Sequence, residues 1–122
     1  MRSMLTMLLV LLAVAPWAAA QDAVEVDPDH YQVALENDQV RVLLITYGPG
    51  EKSVMHEHPD GLSVFLTDAK VQFTMPDGTT AAVEGKAGEV VWIPGGHHLP
   101  ENVGDELMEV YHIELKGGED GD

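Results

Sequence analysis

The chain has 122 residues, with six lysines and arginines against 21 aspartates and glutamates, and no cysteine. A formal charge of −15 works against binding to nucleic acid or to anionic membrane surfaces. The length leaves room for one ordinary domain, and the lack of cysteine excludes disulfides, thiolate metal sites, iron–sulfur clusters and cysteine nucleophiles.

Residues 1–20 read as a secretory signal peptide. Arg2 gives a charged start, Met4 to Ala15 is an apolar run, and Ala18-Ala19-Ala20 offers a small-residue cleavage site. The run is too short and wrongly flanked for a good membrane span. An uncleaved anchor is the competing reading. Cleavage before Gln21 leaves five basic residues against 21 acids, a formal charge of −16. The expectation is an exported product, periplasmic or secreted, with no membrane attachment after cleavage and no nucleic-acid partner.

Residues 21–30 are acidic and lack periodicity, which predicts a mobile N-terminal arm with His30 exposed. From Tyr31 the pattern is that of strands. Val33 to Glu36 is a short strand, Asn37-Asp38 is turn chemistry, and Gln39 to Tyr47 reads as a long strand. Arg41 interrupts that apolar run. On the face of Leu43 and Ile45 it must be paired or reach a cavity; at the strand end it would snorkel to water. Gly48-Pro49-Gly50 turns the chain into a strand carrying His56 and His58, and Pro59-Asp60-Gly61 turns it again. Further strands are expected over Leu62 to Thr67, Val71 to Met75, Thr79 to Val83, Glu89 to Ile93, His98 to Val103 and Glu106 to Leu115. Pro76-Asp77-Gly78-Thr79 is a tight hairpin turn. Phe65, Trp92, Met55, Met75 and Met108 read as core fillers. Gly117 to Asp122 predicts a disordered acidic tail, leaving 31–116 as the folded domain. About eight to ten short strands without helical periodicity predict an all-β sandwich or barrel.

Two blocks carry the chemistry. In the first, Gly50 is followed after five residues by His56-Glu57-His58. Residues two apart on a strand share a face, about 6.6 Å apart, so both imidazoles can reach one ion. In the second, Gly88 is followed after five residues by Pro94-Gly95-Gly96, then His97, His98 and, three residues on, Asn102. Together the blocks resemble the paired motifs of the cupin superfamily, over roughly Val33 to Leu115. The first family motif continues with a glutamate, whose place here falls on Leu62 or Ser63. Its closing glycine falls on Ala69 or Lys70. In the second, the histidine comes one residue early, at His98.

The resemblance implies a small single-domain cupin of the type-2 kind: a jelly-roll barrel, or double-stranded β-helix, with its ligand cavity inside. It further implies one divalent transition metal (Fe, Zn, Cu, Ni or Mn) held by His56, His58 and His98. His97 is the alternative to His98; neighbours on a regular strand face opposite ways, and the gap to Asn102 favours His98. Without the glutamate the site should hold hard cations such as Mn or Mg more weakly and depend more on softer ones. Glu109, Tyr111 and Arg41 are weak catalytic candidates, with Glu109 a substitute for the missing carboxylate. His112, on the face opposite Glu109 and Tyr111, reads as a satisfied or exposed histidine. Leu62, Val64 and Leu66 are expected to line the cavity.

Three functions compete. The first is an exported metalloenzyme acting on a small molecule. The second is a metal-free module that binds a small molecule, and the third is a periplasmic copper or zinc carrier. The resemblance also makes a homodimer an expectation. Neither substrate nor reaction follows from the residues.

Overall fold

The computed structural model describes residues 21–117. The proposed signal peptide and residues 118–122 of the acidic tail lie outside the described residues. Nine strands follow a one-turn helix, α1 (Ala23–Val26): β1 (Tyr31–Glu36), β2 (Val40–Tyr47), β3 (His56–His58), β4 (Gly61–Phe65), β5 (Ala69–Thr74), β6 (Thr80–Gly85), β7 (Val90–Ile93), β8 (Gly96–Asn102) and β9 (Met108–Leu115).

The strands form two antiparallel sheets, β1-β2-β9-β4-β7 and β3-β8-β5-β6. Only the β1–β2 and β5–β6 connections stay within a sheet; every other connection crosses between the two. That alternation is the winding of a double-stranded β-helix. The sheets face one another as the jelly-roll expectation has it, and they are not closed into a barrel by ladder hydrogen bonds. β1 and β7 end one sheet and β3 and β6 the other. The crossings are made by turns rather than by strands long enough to belong to both sheets. In the β5–β6 hairpin, Gly78 N–H donates to Met75 carbonyl at 2.9 Å and Gly78 takes φ +88°. A side chain there would be strained, so glycine closes this turn.

Alternation decides what faces inward. β2 buries Leu43, Ile45 and Tyr47; β9 buries Met108, Val110, His112 and Glu114; β4 buries Gly61, Ser63 and Phe65. The apolar core gathers Leu43, Ile45, Phe65, Met108 and Val110 from one sheet and Val71 from the other. It fills one end of the interior, and the histidines fill the other.

Several expectations are corrected here. Residues 21–30 are not an arm outside the core. Ala23 is fully buried, Asp22 pairs with Arg41, and Glu57 N–H donates to Gln21 carbonyl at 2.8 Å. Ser53 Oγ donates to Asp27 at 2.5 Å, and His30 bonds Asp27 and stacks on Tyr47. Trp92 is exposed rather than core, and of the three methionines only Met108 is buried. Leu62 and Val64 face outward, because β4 has the opposite parity from that expected.

The outer face of the five-stranded sheet carries two apolar rows, with Thr46 and Glu109 beside them. One row crosses all five strands as Leu35, Val42, Ile113, Leu62 and Trp92. A second crosses four of them as Leu44, Tyr111, Val64 and Val90. Leu35, Tyr111, Trp92 and Val90 are exposed.

Candidate metal centre

β3 is only three residues long, yet it places two histidines inward. His56 and His58 are buried, with Glu57 between them on the other side. β3 pairs with β8 so that His56 lies opposite His98 and Glu57 opposite His97. Each strand has period two, so this register puts His98 on the histidine side and His97 on the Glu57 side. His97 Nε2 contacts Gln21 and lies 3.4 Å from Glu57. The structure therefore brings together His56, His58 and His98, and keeps His97 out.

The ligand atoms of these three imidazoles lie within 4.8 Å of one another. His56 Nε2 and His58 Nε2 are 2.9 Å apart. Two ligands on one ion at 2.0–2.1 Å bonds are at most about 4.2 Å apart, so that pair already sits within ligation range. The opposite ring nitrogens are engaged. His56 Nδ1–H donates to Val54 carbonyl at 2.9 Å, and His58 Nδ1–H donates to Glu114 Oε2 at 2.9 Å. Each bond fixes the tautomer that leaves Nε2 as an acceptor turned towards the other imidazole, and Tyr31 Oη stands 3.2 Å from His56 Nε2. His98 Nε2 is buried with no hydrogen-bond partner, and its ring stacks on Phe73 at 4.8 Å. An unpaired buried nitrogen is costly unless something else satisfies it, and a cation would. The donor set fits a transition-metal ion.

Electrostatics favour the neutral, ligating form. Burial, then proximity to His58, pushes His56 down to about 4 and His98 down to about 2. Arg41 Nε donates to Glu114 Oε1 at 2.7 Å, and its far end pairs with Asp22. Burial alone would raise the Glu114 carboxyl, but hydrogen bonds from His58 and Arg41 hold it below its ordinary value. A charged chain thus runs from Asp22 through Arg41 and Glu114 to the imidazole of His58.

The weak catalytic candidates fare differently. Arg41 does face inward, but Glu114 and Asp22 occupy it, so it positions Glu114 and is not free for a substrate carboxylate. Glu109 and Tyr111 lie on the outward face of β9, away from the histidines. Glu109 is therefore no substitute ligand. The carboxylate that does reach the cluster is Glu114, and the imidazole beside it is His112; sequence reasoning assigned neither. Both share the parity of Val110, which the alternation of β9 would have placed inward. Ser63, expected to face away, also faces inward.

An interior cavity of about 50 Å³ is lined by His58, His98, Ser63 and His112 with apolar neighbours. A second, mostly apolar groove of about 340 Å³ meets it at Phe73, Val83, Ile93 and His98 and opens past Met75 and His97. His98 thus stands at the junction of the inner cavity and the groove.

A cupin-domain protein of Bordetella pertussis superposes with a TM-score of 0.66 at 25% identity, over 71% of this chain and 92% of its own. An RmlC-like cupin with a double-stranded β-helix fold from Methanocaldococcus jannaschii gives 0.56 at 15% identity, over 70% of this chain and 77% of its own. The chain has the fold of a small cupin domain. Oxalate decarboxylase of Bacillus subtilis, described for its Mn(II) centres, gives 0.50 at 26% identity. That match covers 63% of this chain but 22% of the decarboxylase. No protein-family model and no curated protein matches the sequence. Within this fold the two sequence blocks are brought side by side: His56 and His58 on β3, His98 on β8, and Asn102 closing β8. Asn102 Nδ2 donates to the carbonyls of Tyr47, Gly48 and Glu106, which is a structural role.

Proposed function

We propose that this small cupin binds one divalent transition metal through His56, His58 and His98 and uses it as an exported metal-dependent enzyme on a small molecule. The observation that carries the reading is the convergence of three imidazoles, two buried and His98 half-buried, with His56 and His58 fixed through Nδ1 and the buried Nε2 of His98 left without a partner. Three imidazoles favour Fe, Zn, Cu or Ni over Mn, although the Bacillus decarboxylase that shares the fold is named for Mn(II). When bound, the metal supplies Lewis-acid or redox chemistry at its open positions.

The chain's own residues do the rest. Burial keeps His56 and His98 neutral, and Glu114 accepts from His58 Nδ1–H, which leaves Nε2 as the ligating atom. Phe73 fixes the plane of His98. The inner cavity has room for about one or two waters, so only the reacting end of a substrate enters it. The groove past Phe73, Met75 and Ile93 receives the remainder, which makes a small, largely apolar molecule bearing an oxygen donor the fitting class. The leader at 1–20 and the acidic surface support an exported, periplasmic or secreted location. A second copy of the chain covers the outer sheet face. Its own two rows are uncharged on a molecule of formal charge −15, so face meets like face without charge repulsion.

Elemental analysis of untagged protein from its secretory compartment tests the reading, beside a His56→Ala/His58→Ala variant. About one ion per chain, lost in the variant, is expected. No ion in either protein, and no uptake of added Fe, Zn, Cu, Ni or Mn, refutes it and leaves a metal-free binding module.

A further inference from the structure

Among the described residues two buried side-chain nitrogens lack a partner: His98 Nε2 and His112 Nε2. The first belongs to the three-histidine set. The second comes from β9, on the opposite sheet, and lines the same inner cavity. From the geometry we infer that His112 is a fourth metal ligand, completing from the facing sheet a site that β3 and β8 begin. The inference rests on the three-histidine reading and extends it.

The local structure is built to aim this ring. His112 Nδ1 lies 2.8 Å from Ser63 Oγ, which faces it across the β4–β9 ladder. With Nδ1–H donating to the hydroxyl, Nε2 presents a lone pair to the cavity. Gly61, one inward position along β4, makes room for the ring. A Cβ there would stand 3.1 Å from His112 Cε1 and Nε2, and 2.4 Å from Ile113 carbonyl. Glycine and serine at 61 and 63 thus give His112 the space and the partner it needs. The ring lies 4.8 Å from that of His58, centroid to centroid. His58, His112 and Glu114 form a second group whose ligand atoms lie within 4.8 Å of one another, and His58 belongs to both groups. His58 is the one histidine common to the two groups, so it is the link between His112 and the set on β3 and β8.

The same arrangement accounts for a departure noted in the sequence. The first motif lacks its glutamate, whose place falls on Leu62 or Ser63. A long carboxylate at Ser63 would occupy the space between β4 and the histidines. The serine leaves that space to an imidazole from the neighbouring strand and holds it there. Nitrogen replaces oxygen, which moves the site's preference further towards Cu, Ni and Zn and away from Mn.

Copper(II) titration followed by electron paramagnetic resonance tests this, because nitrogen ligands leave a countable splitting. The protein should show four nitrogen donors. His112→Ala should show three and bind at least tenfold more weakly. Ser63→Ala, which removes only the hydroxyl, should keep the fold by circular dichroism and weaken binding by about tenfold. Unchanged splitting and affinity in both variants, with binding still lost in His56→Ala/His58→Ala, overturns the His112 assignment alone. No copper uptake by the unaltered protein overturns both readings. Uptake unaffected by His56→Ala/His58→Ala does the same.

Discussion

The metal-free protein should lose stability steeply as pH falls below 6.5. His56 and His112 are held down to about 4 and His98 down to about 2, chiefly by burial, against an ordinary value of 6.5. The folded values lie below the unfolded one, so the unfolded chain binds more protons in this range. The stability is fully present above the unfolded value and is lost as pH falls towards the folded values. At pH 5 each unfolded imidazole is almost fully protonated while its folded counterpart is not. The difference is about 2 kcal/mol per histidine, or roughly 6 kcal/mol for the three. That figure depends mainly on the unfolded value, so it is insensitive to how far each group is depressed. It is comparable to the whole stability of an ordinary domain, about 5–15 kcal/mol. Acidification also relieves self-repulsion among the many carboxylates, which acts the other way. Comparison with His98→Gln separates the two, since the variant keeps the carboxylates and lacks one buried imidazole. Urea unfolding in chelator at pH 7, 6 and 5 supplies the measurement. The variant should lose about 2 kcal/mol less than the unaltered protein between pH 7 and 5. Equal losses in both proteins would refute the claim that His98 is kept neutral by the fold.

Four further outcomes follow from named positions. Glu114→Gln removes the carboxylate shared by His58 and Arg41; it should destabilise the protein by about 3 kcal/mol and weaken metal binding by about 10–100-fold, read by urea unfolding and metal titration. Glu109→Gln, on the outward face, should change neither. Gly61→Ala forces a methyl to 2.4 Å from Ile113 carbonyl and should lower stability by about 1–3 kcal/mol, with a unchanged melting curve refuting the close approach. Tyr111→Glu puts a charge in the middle of the apolar outer face and should shift sedimentation from dimer to monomer at micromolar concentration; a monomer before the change would sink the pairing.

The strands were legible because period two is a strong pattern when one face is buried. Gln39 to Tyr47 alternates around Leu43, Ile45 and Tyr47, and β2 falls there within a residue. His98 was distinguishable from His97 by spacing, and the β3–β8 register gives the same division. Parity errors explain what was missed. Reading Leu62 and Val64 as inward put Ser63 on the wrong face of β4. On β9 the polar residues drew attention one by one, while Met108 and Val110 already marked the buried parity to which His112 and Glu114 belong. Trp92 was placed in the core on size alone, yet its neighbours Val91 and Ile93 take the inward positions of β7. Residues 21–30 had no pattern to find, because a four-residue helix has no period. Tertiary contacts from Asp22, Ala23 and Asp27 hold it.

Those contacts change what the acidic composition means. Most of the carboxylates are a solvated surface, but Asp22, Asp27 and Glu114 are spent inside or beside the site. Asp27 accepts from Ser53, whose Oγ lies 3.3 Å from His56 Nδ1; Glu114 accepts from His58; Asp22 steadies the arginine that steadies Glu114. Of the β3 imidazoles, His58 is backed directly by a carboxylate, while His56 donates to the Val54 carbonyl with the Ser53–Asp27 pair beside it. A ligand so backed is oriented and made more basic, which strengthens its hold on a cation. The two carboxylates come from opposite ends of the described chain. The segment before β1 is thus part of the support for the centre, and the short strand that bears two ligands is held in place by the first and last of the described elements.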